Sequence, residues 1–162
     1  MTATLSFRPT ANFNANQSRA TSSEADDIRR KFQGFSESLQ QAESMFAVPI
    51  RELGDTFLDC RRENWDGYDA HAVSDEAYRQ AKALLWQVLG VFPFPSASAN
   101  PSGSLTLEWL ATPSRRLMVS LNGEQLLAFA GLFGSETVQG TTSFVGDFPL
   151  ELFSLLKRVY YL

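Results

Sequence analysis

A hydrophobic repeat that changes from about 3.6 residues to two and back again predicts an α+β fold. Three stretches carry that expectation: helical spacing up to Leu89, alternation from Leu105 to about Phe144, and helical spacing again from Phe148 to Tyr160. The expected architecture is three N-terminal helices, an antiparallel β-meander of three or four strands, and a C-terminal helix packed on one face. Residues 1–23 are expected to be a disordered arm, residues 24–48 an amphipathic helix able to serve as an interaction element, and residues 49–162 a single α+β domain.

The first helix begins near Glu24, where Thr21 with Glu24, or Ser23 with Asp26, can form a capping box. Ile28, Phe32, Phe35, Leu39, Ala42 and Phe46 follow at alternating steps of four and three, one apolar stripe along the helix. Arg29, Arg30, Glu37, Gln40 and Glu43 occupy the polar side. Pro49 is expected to stop this helix near Ala47, because the residue before a proline avoids the α region. A second helix is expected from about Ile50 to Arg62, with Ile50, Leu53, Phe57 and Leu58 inward and Cys60 or Arg61 completing the turn. The third starts at Ser74, whose hydroxyl can cap it, and turns Ala77, Ala81, Leu84, Leu85 and Val88 inward before Gly90 ends it. Residues 91–104, VFPFPSASANPSGS, read as a loop by composition.

From Leu105 the period is two. Leu105, Leu107 and Trp109 share one face, and Leu117, Val119 and Leu121 share another such face in the next run. Asn122-Gly123 predicts a type I′ hairpin turn into the run that starts at Glu124. Gly131 to Gly134 marks a further turn, and a weaker strand follows around Thr137 to Phe144. Arg115 and Arg116 are placed to guard a sheet edge. In the closing helix, Pro149 suits the first turn, and Leu152, Leu155, Leu156 and Val159 form the apolar face.

The chain of 162 residues, 44% hydrophobic and 20% charged, has the balance of a folded protein. A net charge of −4 disfavours a dedicated phosphate binder. The acids gather locally: Glu63, Asp66, Asp69, Asp75 and Glu76 occur with no Lys or Arg among them, which predicts an acidic corner. The single cysteine, Cys60, excludes an intramolecular disulfide and suits a reducing compartment, so a cytoplasmic location is expected. No apolar run reaches membrane-span length, and no membrane partner is expected.

Signatures of catalysis are missing. There is no GxxxxGK, GxGxxG or GxSxG, and no cofactor is expected. Cys60 and His71 could form a dyad only if the cysteine left the apolar face of its helix. Asp66, Asp69 and His71 match no metal-ligand spacing, so no metal is expected either.

The corner itself, ENWDGYDAHAVSDEA, sets Trp65 and Tyr68 around an Asp66-Gly67 turn just before a helix start. Trp65 reads first as an anchor between helix and sheet, and second as an interface residue. NWDGYDA followed by SDEA, a proline-rich loop, SGSLTLEWL, RRLMVSLN and an NG pair resembles a group of small, mostly uncharacterised bacterial proteins that share an NWDGYxA corner and an LEW strand. The resemblance covers roughly residues 50–130. It implies the fold order and a bacterial origin, and some members look like partners of toxins or of defence and mobile-element genes. This chain carries Asp69 where a glycine is common in that motif.

These readings converge on a non-enzymatic protein-binding module: an antitoxin-like, inhibitory or accessory subunit of a larger bacterial complex. The expected contacts are Trp65, Asp66, Tyr68 and Asp69 at the corner, and Phe32, Phe35 and Leu39 on the first helix. The expected partner is a protein, such as a basic nuclease or a nucleic-acid-binding complex attracted by the acidic corner. A homodimer through the first helix is a further expectation. The alternative is a nucleic-acid accessory protein whose basic arm is formed by Arg8, Arg19, Arg29, Arg30 and Lys31, the last three being the one compact basic cluster.

Overall fold

The computed structural model describes residues 18–161 and, within that range, the side chains of all but residues 18–22, 24, 39 and 42–45. Most of the expected N-terminal arm therefore lies outside the described residues, and Ser18 to Ser23 are helical. The chain divides into two compact units, Met1–Glu43 and Ser44–Leu162.

Helix α1 spans Ser18–Cys60. The two helical stretches expected on either side of Pro49 are both present, but they run together as one element with the proline inside it. A proline there removes one backbone donor and costs about 3 kcal/mol. Pro49 is itself buried, and Leu53, Phe57 and Cys60 beyond it join the core, which offsets that cost. The inward set also differs from expectation. Leu58 is exposed, and of Cys60 and Arg61 it is Cys60 that completes the inward face, since steps of four and three from Leu53 lead to Phe57 and Cys60.

Helix α2, Asp75–Val88, begins as its sequence dictates. Ser74 Oγ accepts from Ala77 N at 3.1 Å, while Asp75 and Glu76 place negative charge at the positive end of the helix. Ala77, Ala81, Leu84, Leu85 and Val88 are buried. Helix α3 spans Leu150–Tyr160, with Pro149 as its N-cap rather than within the first turn, and buries Leu152, Leu155, Leu156 and Val159.

Between them lies a five-stranded antiparallel sheet in the order β1-β2-β3-β4-β5, a simple meander. The strands are β1 Ser96–Ala99, β2 Leu105–Thr112, β3 Arg115–Leu121, β4 Leu126–Phe133 and β5 Glu136–Ser143. Strand β1 is the addition to the expected three or four, cut from the stretch expected to be loop. Ser96 and Ser98 alternate with Ala97 and Ala99, small residues that carry no strong hydrophobic period, yet they pair in register with Glu108 to Leu105. Three other details depart from expectation. Four residues separate β3 from β4, and of Asn122 and Gly123 only the glycine has positive φ (+89°), so the turn is not type I′. Gly131 lies inside β4, and the chain reverses at Gly134 instead. Arg115 and Arg116 sit on a central strand and guard no edge.

One face of the sheet is apolar and covered. Leu105, Leu107, Trp109, Leu117, Val119, Leu121, Leu127 and Phe129 point into a core closed by α2 and α3, which both pack on β2 and β3. Each such side chain contributes about 1.5–3 kcal/mol by leaving water. The other face carries Glu108, Met118, Ala130 and Gln139 across one row and Thr106, Ser120, Ala128 and Thr141 across the next. No helix contacts that face strongly enough to bury Met118, Leu110 or Leu126.

Leu84, fully buried between α2 and the sheet, should cost about 2–5 kcal/mol when truncated to alanine, whereas Ser74→Ala should cost about 1 kcal/mol through its lost cap. Urea unfolding followed by tryptophan fluorescence gives both values.

Candidate functional site

The corner between α1 and α2 is built from its own backbone. The chain leaves the helix at Cys60 and must reverse before Asp75, and two non-glycine residues, Asn64 (φ 58°) and Asp69 (φ 67°), take left-handed conformations to do so. Asn and Asp tolerate that region because their short polar side chains bond locally. Asn64 N donates to Ala70 O at 2.7 Å, and Asn64 Oδ1 accepts from Asp69 N at 2.9 Å. Asp66 Oδ1 accepts twice, from Tyr68 N at 2.8 Å and from Ala70 N at 3.2 Å. Glu63 Oε1 accepts from Ala72 N at 3.2 Å, and its second oxygen lies 3.5 Å from His71 Nδ1.

The corner is then fastened to its surroundings. Val73 N donates to Cys60 O, and His71 N donates to Pro101 O, each at 2.9 Å. Trp65 is half-buried against the core and its indole Nε1 donates to His71 O at 3.0 Å. Gly103, at φ +83°, lies so close that a Cβ there would meet Ala72 O at 2.9 Å. Gln80 of α2 completes the fastening by bonding Glu124 O and Gly123 N of the loop between β3 and β4.

This geometry sorts the expected corner contacts. Trp65 and Asp66 are occupied in holding the turn. Tyr68, at 87% exposure, and Asp69 stand outward. The corner's acids are also partly spent: Glu76 pairs with Arg79 at 2.5 Å, and Glu63 faces His71. Asn64 and Gln80 were not singled out by sequence reasoning. An Asn two residues before Asp-Gly was a legible signal for the first, and nothing local could have revealed the second, whose partners are more than forty residues away.

The first helix presents the other expected contacts. Ile28, Phe32 and Phe35 are 55%, 69% and 62% exposed on a regular helix. Lys31, Phe32 and Phe35 line a shallow depression of about 220 Å³. Leu39 lies on the same helix, and its side chain is outside the described residues. Beside the stripe, Arg29 pairs with Asp26 at 3.6 Å and Arg30 with Asp27 at 2.5 Å. Two of the three cations in the compact cluster, Arg29 and Arg30, thus each face an acid in a pair open to water, while Arg8 and the side chain of Arg19 lie outside the described residues.

The groups weighed for chemistry are placed differently. Cys60 is buried, and burial together with the Asp59 charge pushes its thiol pKa up, the opposite of nucleophile activation. His71 is exposed beside Glu63. Among the described residues no group of three or more His, Cys, Asp or Glu is gathered to hold a metal ion, and no helix is long and apolar enough to cross a membrane. A depression of about 390 Å³ on the open sheet face is lined by Ser102, Ser104, Ser120 and Thr141 among others. Its three serine hydroxyls are engaged: Ser102 Oγ lies 3.1 Å from Ser104 Oγ, and Thr106 Oγ1 lies 3.2 Å from Ser120 Oγ.

Three measurements check this assignment. Asp66→Ala should destabilise by about 1–3 kcal/mol by leaving two N–H groups without their acceptor, while Asp66→Asn, which keeps an acceptor oxygen, should cost less than half as much. Cys60 should resist alkylation at neutral pH until the protein is unfolded. Its raised pKa in the fold gives a stabilisation that is complete below the ordinary thiol value of 9.0 and lost as pH rises through the raised value. Cys60→Ala should therefore flatten the alkaline fall in stability.

No protein-family model, curated protein or solved structure matches this chain, so the geometry of the corner and of the first helix carries the functional reading.

Proposed function

We propose that this protein is a non-enzymatic protein-binding module whose docking element is the apolar stripe of α1. The observation that carries the reading is the exposure of Ile28, Phe32 and Phe35 together on one helix. Three large apolar side chains recurring at four and three residues make a continuous patch, and aromatic residues in such patches dominate binding energy when they become buried. Such a module is suited to act as an accessory, inhibitory or antitoxin-like subunit of a bacterial complex. Tyr68 and Asp69 at the corner offer a smaller second contact, with Trp65 and Asp66 holding them in position.

The nucleic-acid alternative loses ground on charge. Arg29 and Arg30 each have an acidic partner three residues earlier, so the cluster offers little net positive field to a phosphate backbone.

A photo-reactive residue placed at position 32 of the full chain, activated in intact bacterial cells that express it, checks the reading. Cross-links to protein, abolished by Phe35→Asp in the same chain, are the expected outcome. Label recovered only on nucleic acid or lipid would overturn it.

A further inference from the structure

The occupant of the α1 stripe follows from its period, its length and the charges beside it, and from these we infer that it is a second copy of this chain, joined helix to helix. This rests on the reading of α1 as a protein-docking element and names the partner.

The steps from Ile28 to Phe46 alternate four and three without a break, which places apolar residues at two positions in every seven. That narrow seam, with Phe32 and Leu39 at one core position and Ile28 and Phe35 at the other, is the pattern of helices that wind around each other; a helix packed into a globular core shows a broader stripe. At 1.5 Å per residue the seam is about 27 Å long. A groove that captures a helix reads anchors over about two turns, roughly 11 Å, so most of this seam would remain bare in one. A second α1 has the same period and the same length.

The neighbouring charges permit that pairing. Arg29 and Lys31 flank the seam, Arg29 is held by Asp26 at 3.6 Å, and the flanking positions seven residues on are Ser36 and Ser38, so each copy brings one lysine and no run of like charge. Two copies therefore approach without a row of like charges. The same balance disfavours an anionic membrane surface, which selects amphipathic helices with a net basic face.

The area is of the right order. At their observed exposures Ile28, Phe32 and Phe35 offer roughly 350 Å² per copy, nearly half of the ~800 Å² per partner found in stable interfaces, before the stems of flanking residues are counted.

The test is the mass of the full chain in solution by light scattering, across a dilution series in the micromolar range. The expected result is twice the 18.0 kDa chain mass, falling to the single-chain value in a Phe32→Asp, Phe35→Asp double variant. Tyr68→Ala, at the corner, should stay dimeric. Both residues are exposed and lie outside the Ser44–Leu162 unit, so the variant should keep the wild-type fluorescence of Trp109 and the same unfolding midpoint for that unit. A monomeric wild type, or a double variant that remains dimeric, would overturn the inference. If the wild type is monomeric while position 32 still cross-links to a different protein, the docking reading stands and only the identity of the partner falls. If neither association nor cross-linking is seen, both fall together.

Discussion

Everything in the Ser44–Leu162 unit depends on covering one face of a five-stranded meander. A sheet that turns Leu107, Trp109, Leu117 and Val119 to the same side cannot leave that side in water, and two helices distant in sequence, α2 and α3, share the task. The last turns of α1 add Leu53, Phe57 and Cys60 at the margin of the same core. The uncovered face tolerates water because, Met118 apart, its two central rows are Thr, Ser, Ala, Gln and Glu, with hydroxyls bonding across strands at Thr106 and Ser120. The asymmetry of the two faces is the physical origin of the α+β arrangement.

The corner shows how a conspicuous motif can be structural in most of its parts. Its acids looked like a surface feature when read as charge. In three dimensions Asp66 and Glu63 act chiefly as acceptors for N–H groups of a reversing chain, because a turn of this tightness leaves backbone donors with no ladder to join. What remains outward, Tyr68 and Asp69, is a by-product of that geometry as much as a recognition surface. The stripe of α1 has no such internal explanation among the described residues, where Ile28, Phe32 and Phe35 are each more than half exposed.

The elements legible in the sequence are those written by strong periodicity. The core face of α2, from Ala77 to Val88, and that of α3, from Leu152 to Val159, emerge residue for residue, as do the inward residues of β2 and β3, although Thr106 on the opposite face of β2 is buried as well. The misses have separate causes. Strand β1 is made of serine and alanine and gains its structure from pairing with β2, a tertiary effect that outweighs its weak intrinsic preference. Pro49 signals a stop in a local reading, yet the helix continues because residues beyond it are buried. At Asn122-Gly123 the turn is set by Gln80, which binds Gly123 N and Glu124 O from another element, and a local dipeptide rule cannot include that constraint. The stripe at Phe32 and Phe35 was legible as a pattern; its exposure needed coordinates.

The placement of α3 at the far end of the sheet's sequence sets the order in which the chain can mature during synthesis. When Val119 leaves the ribosome, the apolar side of β2 and β3 has only half its cover, and forty further residues must be translated before Val159 can complete it. At typical elongation rates that interval lasts about 2–8 seconds. Throughout it the nascent chain displays Leu107, Leu117 and Val119 beside strands whose edges are still open, the combination that chaperones recognise. Demand on holding factors is thus built into the order of elements, and a circular permutant that moved α3 ahead of the sheet would relieve it.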